Sequence, residues 1–195
     1  MVVASADGKR AYVANIGSGS VTAVDVSAGR VVKSIPTGEG AEGIALTSND
    51  AEVWVVNRAA DTVSILDTKT LGVAASIKVP QFPIRVKISP DGRRALVSCA
   101  RSGDVAVIDV ASRKEIKRIS IDREAVPGSD ARLFSDRFGK SPVPVGLLIA
   151  PDGKRAWVAS TNADVVSAID LDALAVVGRL TAGKEPDGLA GVFGR

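Results

Sequence analysis

Apolar residues along this chain recur in four near-copies of one pattern. Each copy holds a short first strand, a tight turn, a second strand that is apolar at almost every position, a third strand that ends in aspartate, and a more variable fourth strand. The second strands cover residues 10–15, 52–57, 94–99 and 155–160. A strand that is apolar at consecutive positions is buried on both faces. The pattern therefore predicts an all-β chain whose sheets are covered by neighbouring sheets.

The spacing of the copies predicts a repeat architecture. The second copy follows the first at a shift of 42 residues, the third holds the same shift, and the fourth comes 61 residues after the third. Strand-rich repeats of roughly 40–50 residues are typical of β-propeller blades, so we expect a β-propeller of four-stranded antiparallel blades, with about four blades plus one extra strand. We expect a single domain over 1–195, with blades at roughly 1–42, 43–84, 85–145 and 146–187 and a final strand at 188–193.

The longer spacing before the fourth copy marks an insertion near residues 122–140. Within it, residues 129–139 are expected to form a short helix, with Ser129 as its N-cap and Gly139 as its C-terminal stop. Phe134 and Phe138 are four residues apart and share one face of that helix. We expect them either to hold the insertion against the blades or to form an apolar patch at the channel mouth.

An aspartate ends the third strand of every copy. The four positions are Asp25, Asp67, Asp109 and Asp170. An aspartate that leaves a strand accepts hydrogen bonds from turn amides two or three residues later. Because a catalytic or metal site needs carboxylates that converge at one place, we expect these four to have a structural role.

The first copy also carries a family resemblance. Residues 12–15 are Tyr-Val-Ala-Asn, preceded by Asp-Gly-Lys-Arg at 7–10 and followed by the strand that ends at Asp25. This pattern resembles the YVTN-type β-propeller repeat over essentially the whole chain, apart from 122–140. The resemblance implies a closed ring of about seven four-stranded blades, and an exported protein that acts as a surface-layer or binding component. Some related propellers carry redox cofactors.

Four blades and one strand make roughly half of such a ring, and the sequence leaves three ways of closing it. Residues 188–193 supply an inner strand to residues 2–35 in the first alternative. Two chains combine as a homodimer with eight blades in the second, and the molecule is an open arc in the third. Because residues 1–5 run directly into repeat sequence, we expect no signal peptide in this chain and a partial propeller. The resemblance nevertheless favours the periplasm or the cell exterior.

The amino-acid composition restricts the kinds of catalytic and metal site that the chain can form. The chain has no histidine, so no imidazole serves as base, haem ligand or metal ligand. Its one cysteine, Cys99, rules out an intramolecular disulfide and a Cys-pair metal site, and we expect it to be a buried core thiol. No apolar run approaches the length of a membrane span. We therefore expect no metal, no cofactor and no catalytic residue.

Cations at unusual repeat positions indicate a ligand site. Arg85 and Lys87 occupy an inner strand, which lines the channel of a propeller, where the other copies have Gly, Ala or Leu. Residues 85–140 hold 13 Lys or Arg and 8 Asp or Glu, a net charge of +5, which favours binding of an anion. The candidate ligand-binding residues are Arg58, Arg85, Lys87, Arg101, Phe134, Arg137 and Phe138. The alternative is a solvated or locally paired set of charges.

Three functions follow from these observations. We favour a non-catalytic binding or scaffold protein that recognises a protein partner or a small anionic ligand over the top face and the channel mouth. The second hypothesis is a hydrolase, lactonase-like or redox propeller that uses an external cofactor and acids such as Glu39, Glu42, Glu185 and Asp187. The third is single-stranded nucleic-acid binding, with basic blades and Phe side chains as stacking surfaces. The net charge of +3 permits nucleic acid without requiring it.

Overall fold

The computed structural model describes residues 1–79, 81–121 and 135–192. Within these residues it contains sixteen β-strands and one short α-helix. The strands form four four-stranded sheets, each with its strands in chain order. Neighbouring strands within a sheet are antiparallel. The predicted all-β fold with four propeller blades is confirmed.

The sheets have equal strand numbers and similar strand lengths. The first sheet contains β1 (Val2–Ala4), β2 (Arg10–Asn15), β3 (Ser20–Asp25) and β4 (Arg30–Pro36), and the second contains β5 (Ala41–Leu46), β6 (Glu52–Asn57), β7 (Thr62–Asp67) and β8 (Gly72–Lys78). The third contains β9 (Pro83–Ile88), β10 (Arg94–Cys99), β11 (Asp104–Asp109) and β12 (Lys114–Ser120). The fourth contains β13 (Pro144–Ile149), β14 (Arg155–Ser160), β15 (Val165–Asp170) and β16 (Ala175–Thr181). The chain divides into two compact units, Met1–Ile88 and Ser89–Arg195.

One backbone device recurs in each sheet at the turn between the second and third strands. The residue before the third strand has positive φ and its carbonyl accepts an amide that follows the fourth strand. The four pairs of acceptor and donor are Gly19 with Thr37, Asp61 with Val79, Gly103 with Ile121, and Asp164 with Ala182. A β-bulge also recurs between the third and fourth strands of every sheet, and such bulges increase strand twist. The repeat in sequence is therefore a repeat of backbone geometry.

The aspartates at the ends of the third strands have the predicted structural role. The carboxylate of Asp67 accepts the amides of Lys69 and Thr70, at 2.9 and 2.7 Å. The remaining three carboxylates accept amides in the same way, Asp25 from Ala28, Asp109 from Ser112, and Asp170 from Asp172 and Ala173. Each carboxylate therefore closes the turn that leads into the fourth strand.

Each unit has its own apolar core. In the first unit Tyr12, Val21, Ile44 and Val55 belong to one buried cluster. In the second unit Leu96, Val107, Val158 and Ile169 belong to another. The second and third strands supply most of both clusters, as their continuous apolar pattern predicts.

Glycine allows a first strand to approach the backbone of a neighbouring segment closely in each unit. A Cβ on Gly43 of β5 would overlap the carbonyl oxygen of Ile84 and lie 2.7 Å from the Cα of Arg85 on β9. In the second unit, a Cβ on Gly146 of β13 would overlap the carbonyl oxygen of Asp187. Only a residue without a side chain permits these contacts. Therefore β5 packs backbone to backbone against β9, and β13 packs in the same way against the segment that contains Asp187.

The expected final strand is not formed in the described residues. Residues 182–192 contain no strand, and residues 193–195 lie outside the described part of the chain. The first strand of each sheet pairs with the second strand that follows it in sequence. The segment nevertheless lies against Gly146 as β9 lies against Gly43, and the Thr161 hydroxyl donates to the Pro186 carbonyl at 3.0 Å. It occupies the place of a further first strand without the ladder of hydrogen bonds.

The first alternative for closing a ring is wrong. In the first sheet β1 pairs with β2, with Val2 opposite Val13 and Ala4 opposite Ala11. This part of the inner edge of β2 is therefore already occupied by the chain's own residues, so 188–193 do not supply that strand.

The insertion contains part of the expected helix. The structure describes α1 (Ser135–Phe138), followed by Gly139 with φ of 56°, a conformation typical of a helix C-terminus. Ser129 and Phe134 lie outside the described residues. No helix in the described ranges has the length and apolarity needed to cross a membrane.

We predict that Gly43→Ala lowers the stability of the protein. The added methyl group meets backbone atoms of Ile84 and Arg85, which cannot rotate away, so we expect a loss of about 3 kcal/mol, or roughly 6–12 °C in Tm. Thermal unfolding followed by circular dichroism measures the loss. Gly17→Ala, where a Cβ meets nothing within 4 Å, is the control. Equal Tm values for the two variants would contradict the proposed close packing.

Candidate functional site

A carboxylate shared by two arginines is the main charged cluster of the first unit. Glu42 lies on β5, and its Oε2 is 2.8 Å from Nη1 of Arg58 while its Oε1 is 2.9 Å from Nη1 of Arg85. The side chains of Glu42, Arg58 and Arg85 are 15%, 30% and 19% exposed. The three groups together carry one net positive charge.

The backbone positions both arginines. Arg85 lies on β9, whose close approach to β5 depends on Gly43, next to Glu42 in the sequence. Arg58 follows β6, and its amide donates to the Gly40 carbonyl at 3.1 Å. A Cβ on Gly40 would lie 2.8 Å from Cγ of Arg58. Small residues on the chain leading into β5 and on β5 itself therefore make room for both guanidinium groups.

An aromatic ring orients one of the arginines. The guanidinium carbon of Arg58 lies 5.6 Å from the centre of the Phe82 ring, within cation–π distance. Phe82 is 5% exposed, and its amide donates to Oδ1 of Asp61 at 2.8 Å. The turn before β7 thus supplies both Arg58 and the carboxylate that holds Phe82 in place.

The backbone next to this ring is strained. Gln81 and Phe82 have φ values of 82° and 64°. Non-glycine residues rarely adopt positive φ, and two in succession at a bulky residue are exceptional. Such strain occurs often at binding sites, where the surrounding structure maintains it. Here it places the Phe82 ring against Arg58.

The other predicted site residues lie in different places. Lys87 is exposed on β9 and, two residues from Arg85, shares its face of the strand. In the second unit Arg101 is exposed in the turn between β10 and β11. Arg137 lies over the Phe138 ring at 5.6 Å, and Phe138 is 6% exposed. Phe134 lies outside the described residues.

Sequence reasoning missed the roles of Glu42 and Phe82. The sequence suggests Glu42 only as an acid for catalysis, and Phe82 is not among the candidate ligand-binding residues. One sequence signal for Glu42 was available. It precedes Gly43 on a first strand, and Arg85 is the equivalent of Gly43 in the next copy. No sequence signal links Phe82 to Arg58, because their contact depends on the conformation at Gln81.

Titratable groups with shifted pKa values lie in turns and in the core, outside this cluster. Hydrogen bonds from turn amides and hydroxyls lower the pKa of Asp67, Asp109 and Asp170. Burial raises the pKa of the Cys99 thiol to about 12, and the residue is fully buried, as predicted for a core thiol. Among the described residues, no group of three or more His, Cys, Asp or Glu side chains is arranged to hold a metal.

The model of the YNCE-like beta-propeller family matches residues 1–129, which is more than half of the chain. The chain belongs to the YNCE-like β-propeller family. This membership is consistent with the YVTN-type repeat identified in the sequence.

Two relatives place this YNCE-like propeller among longer proteins. It is 29% identical over 114 residues to antigen Lp49 of Leptospira interrogans serogroup Icterohaemorrhagiae serovar copenhageni (strain Fiocruz L1-130), a match that covers 57% of this chain and 21% of the antigen. It is similar to the structure of Kuenenia stuttgartiensis hydrazine synthase, with a TM-score of 0.78 and 26% identity over 91% of this chain and 47% of the synthase chain. The propeller therefore spans less than half the length of either relative.

We predict that Gln81→Gly stabilises this YNCE-like propeller. Glycine adopts positive φ without the steric cost that a side chain adds, which offsets its larger unfolded-state entropy, so we expect a gain of about 1 kcal/mol and a Tm higher by roughly 2–4 °C. Gln81→Ala retains the strain and serves as the control. If alanine stabilises as much as glycine, the backbone at this position is not strained.

We predict that the aspartates at the strand ends contribute to acid unfolding. The pKa of each folded carboxyl lies below the ordinary aspartate value of 3.8, so their stabilisation is full above that value and is lost as pH falls through the folded pKa. A triple variant (Asp67→Asn, Asp109→Asn and Asp170→Asn) keeps the accepting oxygen and does not titrate. We expect wild type to lose more Tm than the triple variant between about pH 5 and pH 2.

The control for this experiment is Asp172→Asn, which makes the same change of charge at an exposed turn residue. We expect this variant to follow wild type through the acid range. Parallel melting curves for wild type and the triple variant would contradict the assigned role of the three carboxylates.

Proposed function

We propose that this propeller is a non-catalytic binding protein that recognises a small ligand bearing a carboxylate or phosphate group. The observation that supports this proposal is the cluster of Arg58, Glu42 and Arg85, in which two partly buried guanidinium groups share one carboxylate. In proteins generally, guanidinium groups are the preferred partners of planar carboxylates and of phosphates.

The geometry leaves the cluster with capacity for an anion. A guanidinium has five N–H donors, and the bond from Arg58 to Glu42 uses Nη1. Partial burial strengthens an electrostatic contact because the local dielectric constant is lower than in water. The excess positive charge of the cluster then attracts an anion, and exposed Lys87 on the face of Arg85 adds to this field.

Pre-organisation gives a second line of support. The Phe82 ring holds Arg58 in one orientation, and the strained Gln81–Phe82 backbone holds the ring. A side chain that is ordered before binding loses less conformational entropy on binding. Because the guanidinium groups are only 30% and 19% exposed, a small ligand reaches them more readily than a flat protein surface does.

Titration with inorganic phosphate and with citrate, followed by calorimetry, tests this function. We expect saturable binding in wild type, weakened at least about tenfold in Arg58→Ala because a charge-assisted hydrogen bond is lost. The double variant Arg85→Ala/Lys87→Ala should abolish binding. Arg30→Ala, which removes an exposed cation from β4 of the same unit, should bind as wild type does.

Glu42→Gln separates binding from a purely structural role of the arginines. Removing the competing negative charge should tighten phosphate and citrate binding while lowering Tm. Unchanged affinity in the double variant, or weaker affinity in Glu42→Gln with its fold intact, would contradict the proposed site.

A further inference from the structure

Two buried hydroxyl groups of the fourth sheet have no hydrogen-bond partner among the described protein groups. They belong to Ser160, at the end of β14, and Ser167, on β15, and both residues are 0% exposed. Buried polar groups are bonded to protein or ordered water in nearly all structures. These two hydroxyls therefore need a partner that the described part of the chain does not supply.

The second sheet shows how the same positions are satisfied elsewhere. Asn57 ends β6 as Ser160 ends β14, and Ser64 lies opposite Val55 as Ser167 lies opposite Val158. The amide nitrogen of Asn57 donates to the hydroxyls of Thr62 and Ser64, both at 2.9 Å. The first sheet repeats this arrangement, with Asn15 donating to Ser20 and Thr22. An asparagine amide thus gathers the hydroxyls in both complete sheets of the first unit.

Serine at position 160 is too short to take that role. Its hydroxyl is bonded directly to Cβ, whereas the amide nitrogen of asparagine lies one bond further out. The residue opposite Ser160 is Val165, which has no hydroxyl, in place of Thr62. In the second sheet the amide nitrogen of Asn57 lies beside Ser64. Ser160 has no atom that reaches the corresponding position beside Ser167.

The connections that lead into β5 and β13 differ, and this difference accounts for serine at position 160 in place of asparagine. A Cβ on Gly38 would lie 2.8 Å from the side chain of Asn57, so the asparagine depends on this glycine. The pairing of Ala41 with Asn57 and of Pro144 with Ser160 places Ser141 at the position of Gly38. Ser141 carries a Cβ where Gly38 has none, and we infer that this leaves less room for a side chain at position 160.

We propose that Ser160 and Ser167 bind one structural water molecule, which takes the place of the asparagine amide nitrogen. An internal water needs two to four polar partners, and the two hydroxyls supply the minimum. Arg179 lies directly opposite Ser167 on β16, on the same face of the sheet. Hydroxyl groups are uncharged and both donate and accept hydrogen bonds, as water does, which favours a neutral occupant over an anion.

A high-resolution crystal structure of the full chain grown with bromide tests the proposal directly. We expect an electron-density peak without anomalous signal at about 2.7–3.2 Å from both hydroxyl oxygens, and loss of this peak in Ser167→Ala. A map in which the hydroxyls bond only to protein groups would overturn the proposal. An anomalous bromide peak at the site would also overturn it.

Paired variants test whether the water replaces the amide. Ser160→Asn alone should lower Tm by roughly 2–12 °C, because the amide meets the Cβ of Ser141. Ser141→Gly/Ser160→Asn recreates the arrangement of the second sheet, so its Tm should recover and the amide nitrogen should occupy the former water position in its crystal structure. Water retained beside the new amide, or no recovery of Tm in the double variant, would overturn the proposed replacement.

Discussion

A close backbone contact at a glycine of a first strand is the constraint on which the rest of each unit depends. At Gly43 in the first unit and Gly146 in the second, the backbone of the next segment lies where a side chain would otherwise project. The apolar second and third strands of adjacent sheets form a common core in each unit, between the first and second sheets in the first unit and between the third and fourth sheets in the second. Residues 182–192 follow the same packing rule even without strand hydrogen bonds, because the approach depends on glycine and not on the ladder.

The same constraint creates the charged cluster. A first strand that packs backbone to backbone against its neighbour brings the side chains beside the glycine together, so Glu42 meets Arg85. A larger residue at position 43 would separate the two strands and with them the two charges. The proposed ligand site is therefore a consequence of blade packing, refined by Phe82 and its strained neighbour.

The four repeats of this propeller share their backbone geometry and differ in the polar residues at the ends of their second strands. The backbone turns and bulges are identical in kind in all four sheets, whereas the polar groups at the ends of the second strands change from Asn15 and Asn57 to Cys99 and Ser160. Such substitutions alter internal hydrogen bonding without altering the sheet. Propeller folds support many activities, so function has to be argued from individual residues such as Arg58 and not from the fold.

The sequence by itself determined the all-β class, the four blades, the bounds of the second strands, and the structural role of the four aspartates. Those features depend on local patterns, namely apolar strands and turns closed within a few residues of each other. Tertiary structure alone decided that Arg58 and Arg85 share Glu42, that Phe82 lies beneath Arg58, and that residues 188–192 form no strand. The contacts depend on distances between residues far apart in the chain, and the absence of a strand depends on whether a second strand is present to pair with it. A repeating pattern of residue types encodes neither of these.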